Sequence, residues 1–207
     1  MKNRSFLLVV SLLFCLSFLQ SAQAQSKVIS YEEYQAAEHA GGVAAEETFP
    51  RIETYTYKSD ERDVWKRTVE PSTKQLYIET KTTTSAGTKY TEYVYFDGER
   101  FERIDKGVWK RPDPGSGMGS GSGAGAGMIE LVYTVEDITE AGKKLKLYTR
   151  TVTNYDKTKN VSTFKIDAAK RMVEYEEKGE DHSHGIYEFP KTLPPLKKPI
   201  LGSKQDL

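Results

Sequence analysis

The sequence predicts an exported α+β protein in which a strongly curved antiparallel β-sheet, an unclosed barrel of about 8–10 strands, wraps on an N-terminal helix. Three features of the sequence favour this fold class. A helix-start signal precedes residue 31, the runs after Pro50 alternate as strands do, and short turn signals separate consecutive runs. Short links between consecutive strands are typical of antiparallel pairing.

The N-terminus has the organisation of a Sec signal peptide. Lys2 and Arg4 precede an apolar run over residues 6–19, and Ala22 and Ala24 are the small residues that signal peptidase reads. The run is short for a transmembrane anchor, which has to cross about 30 Å of hydrocarbon. We therefore predict that residues 1–24 are a signal peptide, cleaved after Ala24, and that the protein is exported to the periplasm. Cleavage removes the only cysteine, so the mature chain has no disulfide.

One helix is clearly indicated after the signal peptide. Ser30 and Glu33 have the spacing of a capping box, with Ser30 as the N-cap. Gly41 and Gly42 are predicted to end the helix in left-handed geometry, and a second short helical stretch covers residues 43–48. One face of the helix consists mainly of small residues: Tyr34, Ala37, Gly41, Ala44 and Ala45. Such a face suits a helix that lies close over a sheet, and it leaves space beside its small side chains.

The rest of the chain is predicted to form strands. The strand-like runs are rich in Thr, Tyr, Val and Ile, which fit a pleated, half-buried surface. They cover residues 52–57, 75–82, 90–96, 129–135, 145–153, 161–166, 171–177 and 186–189. Asp97-Gly98 is a strong hairpin turn, and residues 85–87 and 141–142 mark two more.

The composition favours one curved sheet over a two-sheet sandwich. Only 37% of the residues are hydrophobic and 13 are tyrosines, so the aliphatic bulk is small for a sandwich core. Tyr93 and Tyr95 share one face of their strand. Because tyrosine has an apolar body and a polar tip, it suits the rim of a partly open cavity.

The tetrapeptide Val-Trp-Lys-Arg occurs twice, at residues 64–67 and 108–111. Its flanking residues differ between the two copies, which argues against an internal duplication. We predict two similar strand edges in one meander, which bury Trp65 and Trp109 beside cationic side chains.

Residues 115–127 are glycine alternating mostly with serine and alanine, the composition of a flexible linker. The segment either joins two small β domains or forms a loop within one domain. Small disulfide-free sheets are marginally stable on their own. We therefore predict one domain over residues 25–196, with residues 115–127 as a loop and residues 197–207 as a C-terminal tail.

The sequence contains no signature of an enzyme or a cofactor site. The phosphate-binding glycine motifs and the G-x-S-x-G nucleophile motif are absent. His182 and His184 have the spacing of metal ligands on one side of a strand, but a polar hairpin tip explains them more simply. A net charge near zero, without a basic stripe, argues against a nucleic-acid partner. We expect a protein that is not an enzyme and has no cofactor and no metal.

Three short segments match the layout of a known family. They are Val-Tyr-Phe-Asp-Gly at residues 94–98, Asp-Val-Trp-Lys-Arg at residues 63–67, and Ser-Thr-Phe-Lys-Ile-Asp at residues 162–167. Together with the signal peptide and the N-terminal helix, they resemble the LolA-like periplasmic carriers of outer-membrane lipoproteins. The resemblance implies an unclosed barrel that is capped by a helix and encloses an apolar cavity for acyl chains. It also implies that Arg67 corresponds to the arginine that follows the tryptophan in that family.

The expected function is binding or carrying a lipid-modified or other amphiphilic ligand in the periplasm. The expected partners are a lipid, an acyl chain or a lipoprotein cargo, bound by a monomer, with an envelope protein as a further candidate partner. The expected ligand-binding residues are Tyr34, Ala37, Trp65, Arg67, Tyr93, Tyr95 and Trp109. The alternative is a structural or protein-interaction module of the cell envelope, which would use a sheet edge or the proline-rich C-terminal segment.

Overall fold

The computed structural model describes residues 25–58, 62–112, 128–179 and 182–207. The predicted signal peptide and the glycine-rich segment lie outside the described residues, and so does the side chain of Trp65.

The described residues form an antiparallel sheet of eleven strands, slightly more than predicted. Its strands are β1 (Lys27–Val28), β2 (Arg51–Lys58), β3 (Arg62–Glu70), β4 (Gln75–Thr84), β5 (Gly87–Phe96), β6 (Glu99–Ile104), β7 (Met128–Glu140), β8 (Lys143–Asn154), β9 (Lys159–Ile166), β10 (Met172–Lys178) and β11 (His182–Glu188). The strand order is β1-β7-β8-β9-β10-β11-β2-β3-β4-β5-β6, so the sheet ends at β1 and β6 and is not closed. The predicted fold class, an unclosed antiparallel sheet with an N-terminal helix, is confirmed.

Strands from both sides of the glycine-rich segment belong to this one sheet. β11 pairs with β2 along its whole length, with Tyr187 opposite Glu53. β1 pairs with β7, with Val28 opposite Thr134. Two junctions therefore hold the N-terminal and C-terminal parts of the chain together.

The predicted hairpin turns are confirmed. Asp97 and Gly98 both have positive φ, 51° and 77°, and Ala141 and Gly142 follow the same pattern with 47° and 77°. Positive φ at both central residues defines the type I′ turn, whose twist matches that of the flanking strands.

Two consecutive helices lie at the N-terminus, α1 (Tyr31–Gly41) and α2 (Val43–Glu46). Ser30 is the N-cap of α1, as predicted, and its Oγ accepts a hydrogen bond from the Glu33 backbone N–H at 3.2 Å. In the part of the chain that the structure describes, no helix has the length and apolar character that a membrane crossing needs.

The end of α1 differs from the prediction. Gly42 has a φ of −93°, so the helix does not end in left-handed geometry, and the Gly42 N–H donates to the Glu38 carbonyl at 2.8 Å. Glycine is needed at position 41 for a different reason, which is close packing on the sheet. A Cβ on Gly41 would overlap Ile166 Cδ1 and would lie 3.1 Å from the Met172 backbone nitrogen.

The main core lies between α1 and one face of the sheet, here called the helix face. Its buried residues are Ile29, Tyr34, Tyr133, Phe164, Ile166, Met172 and Tyr187. The ring of Tyr34 meets the ring of Phe164 edge-on, with the centroids 5.0 Å apart, and Phe164 stacks on Tyr148 at 4.9 Å. Aromatic contacts thus replace the aliphatic bulk that the sequence lacks.

A second, smaller core lies on the opposite face of the sheet. Because side chains alternate along a strand, Val94 faces away from Tyr93 and Tyr95, which the strand register places on the helix face. Val94 packs with Phe101 and Trp109, and all three are almost fully buried. The C-terminal segment covers this core with two leucines, Leu196 and Leu207.

Residues 197–207, predicted to be a tail outside the domain, therefore pack against the sheet. The backbone N–H of Trp109 donates to the Ser203 carbonyl at 2.9 Å, and the backbone N–H of Gly202 donates to the Trp109 carbonyl at 2.8 Å. These bonds occupy the backbone of Trp109, so the second Val-Trp-Lys-Arg copy does not form the predicted strand. Only Lys110 makes an isolated bridge, to Glu102 of β6.

Candidate ligand-binding groove

A wide groove of about 940 Å³ lies on the helix face. It runs between the two helices and the strands β11, β2 and β3. The residues that line it are Glu32, Gln35, Ala36, Glu38, His39, Gly42, Val43, Glu46, Arg51, Glu53, Tyr55, Tyr57, Arg67, Met172 and Tyr187. We call it the helix groove.

The apolar part of the helix groove comes from both the helices and the sheet. Ala36 and Val43 line it from the helix side, and Met172 lies on the sheet side. Val43 and Tyr57 are 56% and 44% exposed, which is high for side chains of their size. These side chains leave apolar surface open to solvent along the groove.

Two tyrosines form a pair in the groove. The rings of Tyr55 and Tyr187 meet edge-on at 5.8 Å, and their hydroxyls hydrogen-bond to each other. Burial is the main cause that raises the pKa of both hydroxyls. Gly185, directly opposite Tyr55, makes room for this arrangement, because a Cβ there would lie 2.8 Å from the Tyr55 ring.

Four charged side chains form a cluster beside the tyrosine pair, here called the charge cluster. Glu46 comes from α2, Arg51 and Glu53 from β2, and Arg67 from β3. The Glu46 carboxylate accepts from Arg51 at 2.7 Å and from Arg67 at 2.9 Å. Arg67 also donates to Glu53 at 3.2 Å, and Arg51 pairs with Glu53. Since β2 pairs with β3, Glu53 stands directly opposite Arg67.

Burial and the neighbouring charges shift the pKa values of Glu53 and Arg67. Loss of solvent raises the pKa of the Glu53 carboxyl, although Arg51 and Arg67 lower it in part. Burial by itself would lower the pKa of Arg67, but its hydrogen bond to Glu46 and the charge of Glu53 outweigh this effect and raise that pKa. Arg67 therefore stays charged in the groove.

Two smaller grooves flank α1. One, of about 450 Å³, is lined by Tyr34 together with Tyr133 and Tyr175. The other, of about 540 Å³, is lined by Ala37, Leu145 and other residues of α1, β8 and β9. The helix thus lies on the sheet with open space along its sides.

The structure distributes the predicted ligand-binding residues over several places. Arg67 lines the helix groove, whereas Tyr34 and Ala37 line the two smaller grooves. Tyr93 and Tyr95 lie further along the helix face, where the Arg100 guanidinium lies over their rings at 4.7 and 5.8 Å.

Trp109 does not belong to this set. Trp109 is 1% exposed in the core of the opposite face, so it cannot contact a ligand in the helix groove. Of Trp65, the structure describes only the backbone, which pairs with Tyr55 in the middle of β3.

Sequence reasoning missed Glu46, Arg51 and Glu53. A signal for two of them was present, because Arg51, Glu53 and Tyr55 alternate and therefore share one face of β2. Opposite charges beside a tyrosine on a face that packs under a helix indicate a buried ion pair. No local signal connects Glu46 to that face.

The histidines of β11 each lie near one glutamate of β10. His184 Nε2 is 3.2 Å from Glu174, and His182 Nε2 is 3.8 Å from Glu176. Among the described residues, no group of three or more potential ligands is arranged to hold a metal ion.

No protein-family model matches the chain, and no curated protein matches it either. The chemistry of the helix groove is therefore the guide to function. This groove combines an apolar wall, tyrosine rings and paired arginines in one open depression. An apolar surface with a few fixed polar groups is the usual composition of a small-molecule binding site.

Proposed function

We propose that this protein is a non-enzymatic, periplasmic binding protein for an amphiphilic ligand, such as a lipid, an acyl chain or a lipid-modified protein. The helix groove is the observation that supports this function. Its volume of about 940 Å³ is comparable to that of small-molecule pockets, which span roughly 300–1,000 Å³. The resemblance to the LolA-like carriers points to the same class of ligand.

The energetics of acyl-chain binding fit an open groove of this kind. Burial of an acyl chain contributes about 0.8 kcal/mol per CH₂ group. Ordering of the chain and desolvation of polar groups cost several kcal/mol, so the net affinity for a chain of ordinary length should be roughly micromolar.

The direct test is a titration of the mature protein with a fluorescent fatty acid, followed by displacement with unlabelled amphiphiles. Val43→Trp should weaken binding about tenfold, because the indole would fill part of the helix groove and displace apolar contact worth about 1.4 kcal/mol. Ala37→Trp is the matched comparison, because it adds a side chain of the same kind to the smaller groove on another side of α1. Weaker binding by Ala37→Trp alone would place the ligand in that smaller groove.

A protein that binds neither the probe nor any unlabelled amphiphile would contradict the proposed function. Ala37 is partly buried against the main core, so thermal melting has to show that Ala37→Trp still folds before its binding is compared. Melting of Val43→Trp should be close to that of the parent protein. Val43 is exposed, so its replacement leaves the core intact.

Export is the second part of the proposal. We propose that signal peptidase cleaves after Ala24 and that the mature protein begins at Gln25. N-terminal sequencing of the protein from the periplasmic fraction tests this site. Retention of Cys15 with a lipid attached would contradict it.

The alternative function, a protein-interaction module, is favoured by the outer edge of β7. Within the described ranges, β1 and the adjacent Ile29 cover only Tyr133, Thr134 and Val135 of this thirteen-residue strand. Met128 and Ile129 are 52% and 56% exposed on the same strand. Unpaired backbone groups on a strand edge can pair with an extended segment of a partner protein. Ile129→Lys should abolish such pairing and should leave amphiphile binding unchanged.

A further inference from the structure

The charge cluster differs from an ordinary buried ion pair in how its members are held. Arg51, Glu53 and Arg67 are fixed by two paired strands, and the first two are 3% exposed. Glu46 reaches them from α2, a helix of only four residues. Three members are therefore part of the rigid sheet, and the fourth is attached to a small peripheral element.

The Glu46 carboxylate accepts hydrogen bonds from both terminal nitrogens of the Arg67 guanidinium. Its Oε2 accepts from Arg67 Nη1 at 2.9 Å, and its Oε1 accepts from Arg67 Nη2. This two-pronged geometry is how arginine binds a carboxylate or a phosphate group. The side chains of Glu46 and Arg67 are still 29% and 24% exposed, so a ligand in the helix groove can reach the pair.

The charge balance of the cluster indicates which ligand fits. Two guanidinium groups face two carboxylates, so the cluster is neutral as it stands. When the Glu46 carboxylate leaves, the two arginines share one buried carboxylate, and one positive charge is uncompensated. Glu32 and Glu38 line the same groove and disfavour a group that carries more than one negative charge.

On the basis of the proposed function, we propose that Arg67 and Arg51 form a subsite for the singly charged oxyanion head group of an amphiphile in the helix groove. The head group is a carboxylate or a phosphodiester, and Glu46 occupies its place in the protein without ligand. Binding exchanges one carboxylate–guanidinium pair for an equivalent pair, and the displaced Glu46 side chain returns to water. The acyl chain then lies along Val43 and Met172.

The test compares three ligands with the same chain length on the full mature protein. They are a fatty acid, a lysophosphatidylglycerol and a fatty alcohol, which carry a carboxylate, a phosphodiester and a neutral hydroxyl. Glu46→Gln removes the internal competitor. It should increase affinity for the two anionic ligands about tenfold, the change expected for roughly 1.4 kcal/mol, and should leave affinity for the alcohol unchanged. Whichever anionic ligand binds more tightly identifies the source of the head group.

Glu47→Gln is the matched control, because Glu47 is exposed, adjacent and outside the charge cluster. It removes the same charge and should change no affinity by more than about twofold, since the interaction of exposed charges is weak. Arg67→Gln supplies a second, independent variant. It should weaken binding of the anionic ligands about tenfold and should leave binding of the alcohol unchanged.

Three results distinguish a failure of this proposal from a failure of the proposed function. If all three ligands bind equally and Glu46→Gln changes none of them, the anionic subsite is wrong and amphiphile binding still holds. If Glu46→Gln and Glu47→Gln raise the affinity for anions equally, the effect is general electrostatics and the subsite is again wrong. If none of the three ligands binds to the parent protein, the proposed function itself fails.

Discussion

Glu92 and Arg103 form the most deeply buried ion pair in the described part of the molecule, on the face opposite the helices. Arg103 donates to the Glu92 carboxylate from Nε at 2.6 Å and from Nη2 at 2.9 Å, and the Tyr77 hydroxyl donates to it at 2.6 Å. The Arg103 guanidinium also lies over the Trp109 ring at 4.7 Å. Burial alone would raise the pKa of Glu92, but these hydrogen bonds outweigh it and lower that pKa.

We predict that Glu92→Gln lowers the free energy of unfolding by roughly 3 kcal/mol at pH 7, because it leaves the buried charge of Arg103 with only the exposed Asp206 as an ion-pair partner. A lowered folded-state pKa means that the contribution of Glu92 is fully present above its ordinary value of 4.5 and is lost as the pH falls through the folded-state value. The difference between variant and parent should therefore shrink below about pH 4.5 in urea unfolding series. Glu130→Gln, at an exposed position, is the control. A difference that does not depend on pH would contradict the assigned role.

Gly41 was predicted to end the helix in left-handed geometry, whereas the structure requires glycine there for close packing on the sheet. Gly41→Ala should destabilise the fold by about 1–3 kcal/mol, because its Cβ would overlap Ile166 Cδ1. Ile166→Val removes that methyl group, so the double variant should lose less stability than the two single changes add up to. Thermal or urea unfolding of the four proteins measures this coupling. Strict additivity would show that the close contact does not limit the packing of α1.

At the level of elements, the sequence predicted the features that depend only on neighbouring residues, namely the helix cap and the hairpin turns. The cap at Ser30 and the turns at Asp97-Gly98 and Ala141-Gly142 are encoded in a few neighbouring residues, and the structure has them as predicted. The C-terminal segment is different. It has no periodic pattern, and its role depends on hydrogen bonds to Trp109 and Arg103, which are about a hundred residues away in sequence.

We predict that removal of residues 200–207 lowers the free energy of unfolding by roughly 2 kcal/mol or more. The Gln205 carbonyl accepts from both Trp109 Nε1 and Arg103 Nη1, so its loss leaves two donors of the second core without their partner. Quenching of tryptophan fluorescence by acrylamide should increase, because Trp109 loses its cover. Lys204→Ala, an exposed change within the same segment, should have little effect on either measurement. Unchanged stability after the truncation would mean that the segment only rests on the surface.

For the whole molecule, the sequence predicted the sheet class but not the strand order. Hairpin signals connect neighbours in the chain, whereas the pairing of β11 with β2 joins residues such as Ile186 and Thr54 that have no shared local pattern. The candidate site depends on this same junction, because Tyr187 of β11 and Tyr55 of β2 meet in the helix groove. Arg67 could be identified from a family resemblance, but its partner Glu46 could be identified only from tertiary contacts.

The interlocked topology leads to a prediction about the two parts of the chain. Ile29 and Tyr34 come from the N-terminal part, yet they complete a core whose other buried members all lie after the glycine-rich segment. We therefore expect that residues 25–121 and 122–207, expressed separately, show no cooperative thermal unfolding. Mixed together, the two fragments should recover far-ultraviolet circular dichroism and a melting transition, because the β11–β2 and β1–β7 junctions can form between chains.

The matched control keeps the chain intact and replaces residues 116–126 with a shorter glycine-serine loop. Loop-closure entropy changes only with the logarithm of loop length, so halving the loop should alter the free energy of unfolding by about 0.6 kcal/mol. Independent cooperative melting of either fragment would show that the chain contains two domains. In that case the helix groove would lie at an interface between two domains that can separate, since α1 and β2 would belong to one domain and Tyr187 and Met172 to the other.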